Sequence, residues 1–106
     1  MEPLFVDFYA SSPTGLRAQA TDAVNDALRR RSTILVLGLD NLARLDAAAI
    51  SAAIVALRGL REIGGTVRLV THSATHRRSL EAMGLDRVFD VFATHEEARL
   101  LAFVQQ

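Results

Sequence analysis

The stretch Ile34-Leu35-Val36-Leu37-Gly38-Leu39-Asp40-Asn41-Leu42-Ala43-Arg44-Leu45-Asp46-Ala47-Ala48-Ala49-Ile50 decides how this chain folds. Thr33 to Leu39 is an unbroken apolar run of strand length, the pattern of a buried strand in a parallel sheet. Asp46 stands before an alanine-rich helical pattern that reaches Ile63. A carboxylate there accepts hydrogen bonds from the free N–H groups of the first turn and so starts the helix. Gly64-Gly65 stops it, because glycine enters the left-handed region without a Cβ penalty.

The flanks repeat the same alternation. Leu4 to Tyr9 reads as a short strand. Ser12 caps a helix with Pro13 at its first position, running to about Arg30, with Leu16, Ala20, Val24, Ala27 and Leu28 toward the core. Arg29-Arg30-Arg31 complements the negative end of that helix. Thr66 to Val70 is a second buried strand. Ser73 caps a helix that ends at Gly84, and Val88 to Phe92 is a short edge strand. Thr94 with Glu97 forms a capping box for a last helix, His95 to Val104. The order β-α-β-α-β-α-β-α predicts one α/β domain over residues 1–106, with a mainly parallel sheet of about four strands and four helices joined by right-handed crossovers.

Composition narrows the functional classes. Half of the 106 residues are hydrophobic and only 6% aromatic, which predicts an aliphatic core. Twelve basic residues balance twelve acidic ones, so no general attraction to nucleic acid or anionic membrane is expected. Every basic residue is arginine, which reads as coding bias rather than as a phosphate-binding design. Cysteine is absent, excluding disulfides and thiolate metal sites. No apolar run is long enough to span a bilayer and no signal peptide opens the chain, so a cytoplasmic protein is expected.

From Thr33 onward the chain resembles a STAS domain, the fold of anti-sigma-factor antagonists and of the cytoplasmic tails of sulfate transporters. Ile34 to Leu42 is similar to the strand the family writes VVLDLSGV. Leu45-Asp46-Ala47-Ala48-Ala49-Ile50 is similar to its IDSSGL corner, and Arg61 to Val70 to its helix-to-strand turn. Met83-Gly84-Leu85-Asp86-Arg87-Val88-Phe89 resembles its GLdrlF segment, and Glu96-Glu97-Ala98 the start of its last helix. The departures are informative. Where kinase-regulated members carry the phosphorylated serine or threonine, this chain has Ala47, which has no oxygen to accept phosphate. The corner glycine is Ala49, and the strand aspartate is Gly38. The resemblance implies a STAS-like sandwich that acts by protein–protein contact, without cofactor or catalytic residues. It implies no kinase control at the usual position, and a resting state like the unphosphorylated, binding-competent one. The family's first hairpin strand has no evident counterpart, leaving a sheet edge on which two copies could pair.

On the helix Ala47 to Ile63, a wheel of about 100° per residue puts Ile50, Ala53, Ile54 and Leu57 on one side, toward the sheet. Ala48, Ala52, Val55 and Gly59 form a second stripe. Covered by other helices, that stripe is core; at the surface, it is a smooth site for a partner. With Asn41, Ala43, Arg44, Asp46 and Ser51, it makes the expected contact surface. The partner is an anti-sigma factor or kinase-like protein or, in the alternative, the cytoplasmic ATPase of a membrane transporter to which the chain is an accessory subunit.

Other chemistry finds less support. His72 and His76 are four apart, but His72 precedes the Ser73 cap and no third ligand stands near, so no metal site is expected and both read as loop or surface histidines. Ser73, Thr75 and Arg77 could hold an anion weakly at a helix start. A reading from another class is a small nucleotide-binding domain or enzyme using Asp40, Asp46 and His72. Neither a lysine-containing acidic cluster nor a G-x-x-x-x-G-K loop supports it.

Overall fold

The computed structural model describes residues 2–100; the expected last-helix residues beyond 100 lie outside the described residues. Its elements are β1 (Leu4–Asp7), α1 (Pro13–Arg30), β2 (Ile34–Gly38), α2 (Ala47–Arg61), β3 (Thr66–Val70), α3 (Ala74–Ala82), a 3-10 turn (Leu85–Arg87), β4 (Asp90–Phe92) and α4 (His95–Leu100). The four strands form one sheet in the order β1-β2-β3-β4, and every pairing is parallel. Among the described residues no helix is long and apolar enough to cross a membrane.

The two-residue period of a strand sorts the core into two layers. Leu35 and Leu37 of β2, with Val67 and Leu69 of β3, join the buried residues of α1 and α2 and Leu80 of α3 on one face. Val36, Val70 and Phe92 face the other way, with Ala98 of α4. The core is aliphatic in the main, but Phe8 and Phe89 are also fully buried, while Ile34, Ile50 and Ile54 stay half-exposed. Each fully buried leucine or phenylalanine contributes roughly 1.5–3 kcal/mol by leaving water.

Helix starts follow local chemistry. Side-chain oxygens of Ser12, Asp46, Ser73 and Thr94 accept from the N–H groups of Gly15, Ala49, His76 and Glu97, at 3.0, 3.0, 3.1 and 3.0 Å. Glu97 completes its capping box one residue early, accepting from Ala93 N–H rather than from Thr94. After α2, Gly64 has a φ of 77°, the conformation its sequence position called for. At the end of α1 the same region is taken by Arg31, with φ 56°.

Several expectations need correction. β1 stops at Asp7 because Gln19 takes both peptide groups of Tyr9: Tyr9 N–H donates to Gln19 Oε1, and Gln19 Nε2 donates to Tyr9 O, each at 2.9 Å. On α1, Leu28, expected toward the core, is exposed, and Ala23, not among the residues expected there, is buried. β4 begins at Asp90 rather than Val88, because Val88 and Phe89 both bond back to Leu85 O in the 3-10 turn.

Two polar features sit on the α4 face. Arg68 of β3 is buried; its Nη1 donates to Ala98 O of α4 at 2.9 Å, and its Nε has no partner among the described residues. Gly38 lies across from Asp7 in the β1–β2 register, and the Asp7 carboxylate fills the space that a side chain at position 38 would need.

Candidate protein-docking site

α1 and α2 make the most extensive contact between elements. Small residues allow it: Ala20, Ala23 and Ala27 from one helix, and Ala49, Ala52, Ala56 and Gly59 from the other. A Cβ on Gly59 would come within 2.8 Å of Val24 Cγ1. The buried arc of α2 therefore includes Ala52, which is 2% exposed, and Gly59 is backed by α1. The stripe Ala48-Ala52-Val55-Gly59 is thus not one open surface: Ala52 is buried, and Ala48, Val55 and Gly59 are half-exposed.

The face that is open lies about a quarter-turn away on the wheel. Ala47, Ser51 and Arg58 are exposed along it, with Ile54 and Val55 half-buried beside them. They border a groove of about 520 Å³ that Leu45, Ile50 and Met83 complete, with the Asp46 cap at one end. The groove is lined mainly by apolar side chains and carries one arginine, Arg58, on its rim. The sequence places Ile50 and Ile54 toward the sheet, whereas both are half-exposed along this groove, and it does not mark Leu45, Arg58 or Met83 as part of it. Met83 follows α3, so only the tertiary fold brings it to α2.

The corner leading into α2 is held from beneath. Leu39 N–H donates to Val70 O at 2.9 Å, and Leu42 N–H to Leu39 O at 3.0 Å, with both side chains buried. Asn41, Ala43 and Arg44 project into solvent on that fixed loop, and Ala47 opens the helix with its methyl exposed.

The family model for STAS domains matches residues 14–98. The chain belongs to the STAS domain family. Among solved structures, the NMR structure of the protein TM1081 superposes with a TM-score of 0.76 at 18% identity, covering 91% of this chain and 78% of that one. The crystal structure of the same Thermotoga maritima protein, titled as a candidate anti-sigma factor antagonist, gives 0.68 at 19% identity, covering 91% and 76%. At such identities the likeness is one of fold. No curated protein gives a match to this sequence.

The STAS sheet gathers a second polar group at the carboxyl ends of β2 and β3. Asp40 Oδ1 accepts from His72 N–H at 2.7 Å and from the Thr71 hydroxyl at 3.3 Å, and Asp40 Oδ2 lies 2.6 Å from His72 Nδ1. Thr71 Oγ1 also accepts from Ser73 N–H at 3.1 Å and lies 2.8 Å from His76 Nδ1. A carboxylate only accepts, so the Thr71 proton points to Asp40, and the contact with His76 is satisfied when His76 carries hydrogen on Nδ1. His76 is buried, not a surface histidine. The network ties the corner loop to the start of α3. The structure brings Asp40 and His72 together, whereas Asp46 is committed to its cap. Ser73 is likewise a cap, Thr75 is exposed, and Arg77 borders a different groove with Leu80 and Asp86.

Burial alone would raise the pKa of Asp40; the hydrogen bonds from His72, its nearby charge and the Thr71 hydroxyl outweigh that and hold it below the ordinary carboxylate value. A folded-state pKa below the unfolded one contributes stability above the unfolded value, and this is lost as pH falls through the folded one. Asp40 is part-exposed, so screening keeps the effect near 1 kcal/mol. Wild type is therefore expected to melt above Asp40→Asn at pH 7, and the gap should close as melts are recorded below about pH 4. A gap independent of pH would show that the carboxylate charge is not the stabilising feature.

Proposed function

We propose that this STAS domain is a non-enzymatic regulatory protein resembling an anti-sigma-factor antagonist, and that it binds its partner through the corner 41–47 and the α2 groove. One observation carries the reading: the exposed methyl of Ala47 stands at the mouth of an open apolar groove. In kinase-regulated members of the family, the corresponding residue is a hydroxyl that takes up phosphate. A phosphate adds roughly −1.5 to −2 charges, enough to expel an apolar or acidic partner surface. Alanine cannot acquire that charge, so the site stays in the state that binds. Ser51 lies one turn along and faces the same groove, as an ordinary solvated helix serine.

Ala47→Ser tests this against the wild type. The assay uses the anti-sigma factor kinase encoded in the same genome, with and without ATP. Wild type is expected to bind equally in both conditions. Ala47→Ser should bind without ATP and lose about tenfold or more in affinity once phosphate appears on residue 47. Phosphate on Ser51 or elsewhere at the wild-type corner, or no binding by either protein, overturns the reading.

A further inference from the structure

The outer edge of β1 is a surface that fits its own copy. β1 is an outer strand, and among the described residues no strand pairs with its far side. Phe8 N–H donates to Gly38 O, and in a parallel pair the peptide groups alternate sides. Leu4 and Val6 are thus bonded toward β2, while Phe5 and Asp7 turn their N–H and C=O outward. Pro3, the preceding outward position, has no N–H to give.

The charges beside this edge are arranged end to end. At its carboxyl half, Asp22 of α1 stands with Val6, Asp7 and Tyr9 around a shallow groove. At its amino half, Arg30 and Arg31 stand beside Pro3 and Leu4. Asp26 lies between, already bonded to Arg29 and Arg30 at 3.2 and 3.1 Å. Asp22 has no ion-pair partner among the described residues. A two-fold axis through the middle of β1 sets the acidic half of one copy against the basic half of the other, and does so twice. A basic strand of another protein would meet Asp22 but would oppose Arg30 and Arg31. The self-copy satisfies both ends.

We propose that β1 pairs antiparallel with β1 of a second copy, joining two four-stranded sheets into one. Pro3 selects the register. With Phe5 opposite Asp7 of the partner subunit, and Asp7 opposite Phe5 of the partner subunit, all four outward N–H and C=O groups of each copy's two residues are bonded. Val6 then faces Val6 of the partner subunit across the axis, at the close, non-hydrogen-bonded spacing that suits a β-branched pair. Asp22 meets Arg30 of the partner subunit. The α2 groove lies beyond α2 and stays open in this arrangement, so the proposal stands apart from the reading of that groove.

Sedimentation of the full chain across a concentration series tests it, together with Asp22→Arg, Arg30→Asp and the double exchange. Wild type is expected to dimerise, less tightly as salt rises. Each single reversal alters two symmetry-related contacts and should weaken the dimer about tenfold, and the double exchange should restore it. Amide exchange at Phe5 and Asp7 should slow as protein concentration rises, while that at Phe8 stays unchanged. A wild type that stays monomeric throughout overturns the proposal. So does a dimer in which the Phe5 and Asp7 amides exchange as in the monomer, or a double exchange that fails to recover.

Discussion

Val55→Glu is expected to abolish partner binding while leaving the melting temperature within a few degrees of wild type. Val55 is half-buried on the wall of the α2 groove, so its γ-methyls form part of the apolar surface a partner would cover. A carboxylate placed there must be desolvated on complex formation, with Arg58 on the rim as its nearest compensation. Substitutions at the centre of such a patch cost about 2–4 kcal/mol, roughly 30- to 1000-fold in affinity. Folding loses little, because in the free protein the glutamate can turn to solvent. Calorimetric titration against the partner and a thermal melt of each protein check the two halves separately. If the variant unfolds, Val55 belongs to the core and the docking site is elsewhere.

The second large effect is opposite in character. Ala56→Leu should lower stability by about 2–3 kcal/mol, with a melting temperature roughly 10–20 °C below wild type. Ala56 is fully buried on the α2 arc that meets α1. The close approach of the two helices depends on methyl-sized side chains, and Gly59 already sits against Val24. Three added carbons must force the helices apart or drive leucine off its rotamer. Melts monitored by circular dichroism measure the loss. An unchanged melting temperature would mean that the interface is loosely packed.

These two residues are one position apart on one helix, and the sequence did not separate their roles. On the wheel, alanine signals neither burial nor exposure, because its side chain is too small to mark a face. Ala48, Ala52, Val55 and Gly59 therefore looked like one stripe, though Ala52 is buried and Gly59 packs against Val24 of α1. On α1 the same ambiguity left Ala23 unmarked although it is buried, while Leu28, expected in the core, is exposed. Local chemistry was legible throughout: Ser12, Asp46, Ser73 and Thr94 each cap the helix they precede, and β3 runs from Thr66 to Val70 as expected. The parallel sheet followed from strands alternating with helices. Contacts made across the fold were not legible. The bonds of Asp40 to Thr71 and His72 span 31 and 32 residues, and the approach of Met83 to the α2 groove leaves no local trace.

Asp7 and Gly38 cannot be substituted independently. The Asp7 carboxylate, reaching across from the adjacent strand, occupies the space in which a side chain at position 38 would stand. The two positions are thus coupled through one shared volume. A side chain at 38 requires the Asp7 carboxylate to turn away, and a second acid there would stand beside the first. The effect of a substitution at either position therefore depends on which residue stands at the other.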